Sequence, residues 1–345
     1  MATLQTIIGI SLLIILHEAG HYLVARWSGM RVLRFSVGFG PALFKRKVGE
    51  TVWQIAAIPL GGFVQIDGMG PQLDEKGEPI PRDQIKVDPR SYLSRPLYQR
   101  ILVIFAGPAA NWLIAALCIM VALAAGYGRP DGSNRLGHII EGHPAAAAGL
   151  QEGDRVLRVG ETEVSDWETL VAAIEANPET TVDFTVERGG EELSLAVTPR
   201  RDGEVGRIGV EPHVEIIRQP VWEAALGGFY HAARMTAEQA SLLWGLVTGS
   251  AAGRLAGLPG IVKMVSQQAE RGIGRLMQSL AWLSIGLCLL NLAPLPALDG
   301  GRLLFLFIET IRGKRVDERI EGVVHAVGFI LLLSLLIFVS VRDLM

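Results

Sequence analysis

His17 and His21 stand four residues apart, with Glu18 directly after the first, in the run His17-Glu18-Ala19-Gly20-His21. On a helix, residues at i and i+4 lie one above the other on the same face. Two imidazoles so placed can hold one zinc ion, and the intervening glutamate can take a proton from an attacking water. A His pair on an ordinary helix is a common accident. The setting argues against accident here, because residues 2–16 carry no charge and the motif closes an apolar run. Ionisable groups in a membrane segment are costly and are functional by default. A divalent metal accounts for three of them within five residues.

The elements that must position this motif are long and apolar. The 345 residues are 50% hydrophobic and 19% charged, with a net charge of −3. That balance gives no case for nucleic acid as a partner. Four stretches reach the length needed to cross a hydrocarbon core: residues 6–25, 101–126, 276–298 and 323–341. Cys118 and Cys288 lie in the second and third. They read as small hydrophobes, with no disulfide and no Cys-ligated metal expected. The N-terminus lacks a basic segment and a small-residue cleavage site, so the first run reads as a retained helix.

Lys and Arg set the orientation of such spans. The first link carries Arg31, Arg34, Lys45, Arg46, Lys47, Arg82, Lys86, Arg90, Arg95 and Arg100. The link after the third span carries Arg302, Arg312, Lys314, Arg315 and Arg319. Both links are expected in the cytoplasm, with both termini outside. Spans one and three then run in the same direction. The His pair at the inner end of span one and Asp299, the first charge after the third apolar run, are expected at similar depth. A catalytic zinc usually takes three protein ligands and keeps one open position. His17, His21 and Asp299 complete that set. Alone, Asp299-Gly300-Gly301 is an ordinary turn sequence, and its expected depth is what favours a ligand. Asn291 lies two turns earlier on an otherwise apolar helix. Its amide can donate to the oxyanion of a tetrahedral intermediate. Holding a substrate backbone and bonding a neighbouring helix are its rival roles.

His17-Glu18-x-x-His21 in a first span, with Asn291-x-x-Pro294-x-Pro296-x-Leu298-Asp299-Gly300 at a third, resembles the site-2 protease family of intramembrane zinc metalloproteases. Phe105-Ala-Gly-Pro-Ala-Ala-Asn111 and Pro59-Leu-Gly-Gly-Phe-Val match its RseP-type bacterial branch. The resemblance runs the length of the chain. It departs from many relatives of that branch in having room for one PDZ domain, not two. It implies an α-helical polytopic membrane protein with four transmembrane helices, a re-entrant or cytoplasmic β-sheet and an inserted periplasmic PDZ domain of α+β type. The divisions expected are 1–30 (first span), 31–100 (sheet and loop), 101–127 (second span) and 128–205 (PDZ). Residues 206–274 (periplasmic amphipathic helices), 275–312 (third span) and 313–345 (fourth span) follow. The resemblance further implies Zn²⁺ on His17, His21 and Asp299, with Glu18 and Asn291 catalytic. The implied substrates are single-span proteins such as anti-sigma factors and leftover signal peptides, in the bacterial inner membrane.

A helical substrate has its carbonyls bonded internally and must unwind before attack. Strand-like runs over residues 31–40 and 50–66, punctuated by Gly, Pro and charges, offer a sheet edge for an extended substrate. Ile55, Ile58, Gly61, Gly62 and Phe63 on that sheet, with Pro294 and Pro296, are the expected substrate-binding residues. The alternative is a small cytoplasmic sheet with no substrate role.

Between spans two and three the pattern is that of a soluble protein. Residues 144–160 resemble a PDZ domain of the bacterial protease type, followed by a helix at 167–176 and a hairpin closed by Gly189-Gly190. Such a domain captures peptide C-termini along a strand, or here acts as a steric filter. Leu136-Gly137-His138-Ile139 is the candidate carboxylate loop. His138 and His143 read as ordinary surface residues. Residues 221–249 mix Trp222, Leu226 and Phe229 with Glu223, Arg234 and Glu238, and read as amphipathic helices on the outer surface. Two rival functions remain. A metal transporter needs polar groups along a full path, which spans two and four lack. A PDZ-based adaptor with a relic site fits poorly with an intact His17, Glu18, His21 and Asp299.

Overall fold

The computed structural model describes residues 1–69, 88–249, 257–314 and 316–343. Arg82, Lys86 and Arg315, counted above for orientation, lie outside them. The chain forms two units, one of Met1–Ala125 with Gln219–Met345 and one of Gly126–Arg218.

The first unit opens with α1 (Ala2–Trp27), the hairpin of β1 (Val32–Val48) and β2 (Thr51–Ile66), and α2 (Leu97–Ala125). Helix α1 buries one stripe, Leu13, His17, His21 and Ala25, at intervals of four. Its Ile7, Ile8 and Leu12 remain exposed. Gly20 lets α1 approach α2 closely: a Cβ there would lie 2.9 Å from both the Ala106 carbonyl carbon and Ala110 Cβ. The hairpin is antiparallel and turns after Val48, which pairs with Thr51. Its register slips repeatedly between Val32 and Phe44, the sign of bulges that bend a ribbon. Strand β1 continues past Gly40-Pro41 and through Lys45-Arg46-Lys47, which the sequence presents as punctuation. Pairing with β2 supplies what local propensity does not.

The second unit contains β3 (Tyr127–Pro130), β4 (Leu136–Ile139), α3 (Pro144–Ala147), β5 (Arg155–Val159), β6 (Thr162–Glu163) and α4 (Trp167–Glu175). It continues with β7 (Val182–Arg188), β8 (Glu191–Val197), β9 (Arg200–Asp202), β10 (Val205–Arg207), β11 (Val210–Pro212) and β12 (Val214–Ile217). The strands form a sheet in the order β6-β5-β7-β8 and three two-stranded pairs, β4–β11, β3–β12 and β9–β10. Phe184, Leu170, Val156 and Val186 centre its core. Asp166 caps α4, accepting from the Thr169 N–H at 2.8 Å. The run Leu136–Ile139 is not an open loop. It is paired with β11, and a Cβ on Gly137 would meet the backbone of Pro212. The open groove lies beside α4 instead, a cavity of about 230 Å³ whose lining includes Trp167, Val171, Ile174, His143 and Ile208.

Asp154 is buried in this unit. It accepts from Arg188 Nε at 2.7 Å, Arg188 Nη2 at 2.8 Å and the Gln151 N–H at 2.8 Å. Burial pushes its carboxyl up, but the Arg188 and Gln151 bonds outweigh that and hold it below its ordinary value. The Ser133 hydroxyl and N–H, with His213, hold Asp131 down to about 2. Both carboxylates bind a proton less readily folded than unfolded. They therefore stabilise the unit above the usual carboxylate range, and that contribution is lost as pH falls through their folded values. Acid opening of this unit is expected between about pH 4 and pH 2. Asp154→Asn should lower its stability at neutral pH and flatten the acid limb. Hydrogen exchange of the Phe184 and Val186 amides, corrected for intrinsic rate, reads both effects.

The first unit resumes with α5 (Val221–Thr248), α6 (Leu258–Glu270), α7 (Ile273–Leu292), α8 (Asp299–Arg312) and α9 (Glu318–Arg342). Among the described residues, four helices are long and apolar enough to cross a membrane: α1, α2, α7, and Ile320–Arg342 of α9. Val323, Phe329, Ile330 and Leu331 of α9 are exposed, a surface suited to lipid and not to water. Helix α5 is a single helix running lengthwise along the bundle. Gly228 abuts the Ala116 carbonyl, Thr236 accepts from Trp112 Nε1 at 3.1 Å, and Gln239 donates to the Trp282 carbonyl at 2.9 Å. Gly227 and Gly228 permit that approach, which the alternating charges of the sequence do not reveal.

The third apolar helix stops at Leu292, before Asp299. Pro294 and Pro296 cannot continue a helix, and Ala297 adopts a left-handed conformation with φ of 73°. Asn291 and Asp299 therefore sit on different helices, contrary to the expectation that one helix carries both. A new helix, α8, begins at Asp299. Its glycines fold it back on the turn: Gly300 packs against the Leu292 and Ala293 carbonyls and Gly301 against that of Leu295.

Candidate metal centre and active site

The site is built on a cluster of buried apolar residues. Ala25, Met30, Val32, Ile66, Tyr92, Val103, Ile104 and Leu306 pack together. They join the end of α1, the open end of the hairpin, the start of α2 and the middle of α8. Burying apolar side chains stabilises such a junction by roughly 1.5–3 kcal/mol per large residue. The polar residues above it are thereby held in register. Arg100 of α2 is buried and reaches Glu309 of α8 at 3.1 Å. That pair ties α2 to the helix that Asp299 begins.

His17, His21 and Asp299 offer three ligand atoms within 4.8 Å of one another. The two Nε2 atoms are 3.3 Å apart, and each lies 3.3 Å from Asp299 Oδ2. Tetrahedral ligands about 2.0–2.1 Å from zinc stand about 3.3–3.4 Å apart, so the spacing fits that ion. The chemistry fits as well. His21 Nδ1 lies 2.8 Å from the Val103 carbonyl and donates to it. In the neutral ring that places the proton on Nδ1 and leaves Nε2 a bare acceptor. Asp299 Oδ2 is buried and receives no hydrogen bond. Buried acceptors facing one another at 3.3 Å need a cation among them.

Gly107 of α2 backs the pair. A Cβ there would lie 2.6 Å from His21 Cε1 and 2.7 Å from His17 Cε1. His325 of α9 supports the other side, accepting the Ala297 N–H at 2.8 Å. It thereby holds the left-handed residue two places before Asp299. Sequence reasoning missed these supports. Val103 acts through a carbonyl that every residue has, and the pairing of Arg100 and His325 depends on which helices meet.

A cavity of about 240 Å³ opens on His17, His21 and Asp299. Glu18, Asn291, Phe63, Val64, Ala297, Leu298 and Arg302 also line it. Strand β2 passes directly against Glu18: a Cβ on Gly62 would lie 3.3 Å from Glu18 Cγ. The remaining residues expected to touch substrate do not line this cavity. Ile55 and Ile58 are exposed on the sheet, and Gly61 packs under the Phe39 ring. Pro294 is exposed, and Pro296 packs against Gly328 of α9.

Residues 5–335 match the model of peptidase family M50. The chain belongs to that family. It is 34% identical to the zinc metalloprotease RasP of Geobacillus kaustophilus, over 96% of this chain and 94% of that protein. It is 31% identical to the regulator of sigma-W protease RasP of Bacillus subtilis, over 96% and 95%. It is 36% identical to the putative zinc metalloprotease all3971 of Nostoc, over 99% and 96%. This M50 chain is a zinc metalloprotease of the site-2 type, and its metal is zinc. The resemblance read from the paired motifs thus names the right family.

Proposed function

We propose that this M50 protease hydrolyses peptide bonds within single-span membrane segments, with His17, His21 and Asp299 as its zinc ligands. One observation carries the reading: the ligand triad and Glu18 surround one cavity on α1, a helix long and apolar enough to cross a membrane. When bound, zinc polarises the scissile carbonyl and eases deprotonation of water. Glu18 takes the proton of the attacking water and delivers it to the leaving amine. The Asn291 amide donates to the developing oxyanion or holds the adjacent substrate backbone. The β2 edge through Gly62 and Phe63, next to Glu18, pairs with the substrate once its helix has opened.

Basic links 31–100 and 299–319 favour a cytoplasmic side for this chemistry, with both termini outside an inner membrane. The second unit reads as a PDZ domain from its order of elements and its groove beside α4. It selects substrates, by taking a peptide C-terminus or by excluding bulk. The name of the Bacillus subtilis relative, regulator of sigma-W protease, supports anti-sigma factors as one substrate class.

The test uses purified zinc-loaded protein and a single-span substrate whose outer domain has been removed. Product masses should place the cut inside the apolar segment. Cuts confined to the polar flanks would sink the proposal.

A further inference from the structure

We propose that Asn111 of α2 is the positioning residue that locks His17 in its metal-binding tautomer, through its side-chain oxygen. A histidine that ligates through Nε2 carries its ring proton on Nδ1, and that N–H needs an acceptor. For His21 the Val103 carbonyl is that acceptor, at 2.8 Å. For His17 the group facing Nδ1 is the Asn111 side-chain amide, at 3.2 Å. Asn111 is 1% exposed, so water does not compete there.

The amide nitrogen faces His17 while the buried Oδ1 has no partner. That nitrogen only donates. It can serve His17 only if Nδ1 is bare, which puts the ring proton on Nε2, among the ligand atoms. Half a turn of the amide exchanges oxygen and nitrogen with almost no change of shape. The orphan oxygen then accepts the His17 Nδ1–H, and Nε2 is free to ligate.

The rest of α2 is arranged around this contact. Val103, Gly107 and Asn111 are spaced i, i+4, i+8 and form one stripe toward the imidazoles. Gly107 leaves the room the two rings occupy. Ser284 of α7 donates to the Asn111 carbonyl at 2.8 Å, and Trp112 is tied to Thr236 of α5. The backbone that aims the amide is thus pinned by two further helices. An Asn in a membrane helix commonly bonds a neighbouring helix. Here the neighbour's atom is a ring nitrogen of a proposed zinc ligand.

The inference rests on His17 being a zinc ligand, so the test separates the two. Zinc affinity of the purified full-length protein is measured by competition with a chelator. The visible spectrum of the cobalt-loaded protein reports the ligand field. Asn111→Leu, which removes the acceptor, should weaken zinc binding by about 10–100-fold and alter the cobalt spectrum. Asn111→Asp, which keeps an acceptor, should bind zinc more tightly than the leucine variant and close to the parent. Asn111→Ala reads the same quantity if the leucine variant does not fold. Wild-type affinity in the leucine or alanine variant would overturn the role of Asn111. So would an aspartate variant as weak as either of them. Unchanged affinity in His17→Ala would instead overturn the ligand assignment, and the inference with it.

Discussion

Glu18→Gln should leave zinc content unchanged and lower cleavage of a trimmed single-span substrate by about 10²–10⁴-fold. The amide has nearly the shape of the carboxyl, so its packing against Gly62 survives. The proposed ligands His17, His21 and Asp299 are untouched. What disappears is a group able to take a proton from water and return it to the leaving amine. Metal analysis and initial rates on the same preparation separate the two roles. Zinc retained together with parental rates would move the base elsewhere. Zinc lost together with activity would make Glu18 part of the metal site.

Asp299→Ala should act on the other half of the chemistry. It removes one of the three proposed ligand atoms and leaves two imidazoles 3.3 Å apart. Losing an outer-shell partner of a ligand costs about 10–100-fold in metal affinity. Losing the ligand itself should exceed that and abolish proteolysis. The fold should persist, because α8 stays anchored through Leu306 in the buried cluster and through Glu309 on Arg100. A carboxylate in the first turn of a helix adds only about 0.3–1 kcal/mol. Zinc stoichiometry after dialysis against a chelator is the measurement. An unchanged value would exclude Asp299 from the ligand set.

The two expectations draw on different parts of the molecule. His17, Glu18 and His21 are neighbours in sequence, and any helix of these residues would present them together. Asp299 is distant in the chain. Its depth can be inferred from counting apolar residues and basic links, and the structure does bring it to the His pair. The route is not the one the count suggests. A continuous helix would carry Asn291 and Asp299 together, but Pro294, Pro296 and the left-handed Ala297 break it. Both residues still line one cavity, because Gly300 and Gly301 let α8 turn back against the carbonyls that end α7.

Uncharged apolar runs located the four long helices, and turn residues located α3, β5, α4 and the β7–β8 hairpin of the second unit, since both signals are local. The run 136–139, the candidate carboxylate loop, pairs as strand β4 with β11. At 221–249, read as amphipathic helices, the structure forms one helix, α5. Two adjacent glycines and two polar contacts lay α5 along α2 and α7.

By itself the sequence determined the family and the metal, and it singles out Glu18 as the residue proposed to handle the proton. Each of these follows from residue types at fixed spacing in an apolar setting. Only the tertiary structure decided which groups stand behind those residues. The Val103 carbonyl, the space left by Gly107, the Asn111 amide beside His17 and the His325 bond to Ala297 come from helices distant in sequence. A hydrogen-bonding partner is chosen by proximity in the packed bundle. Proximity between helices is set by the summed packing of many side chains, which no local spacing encodes.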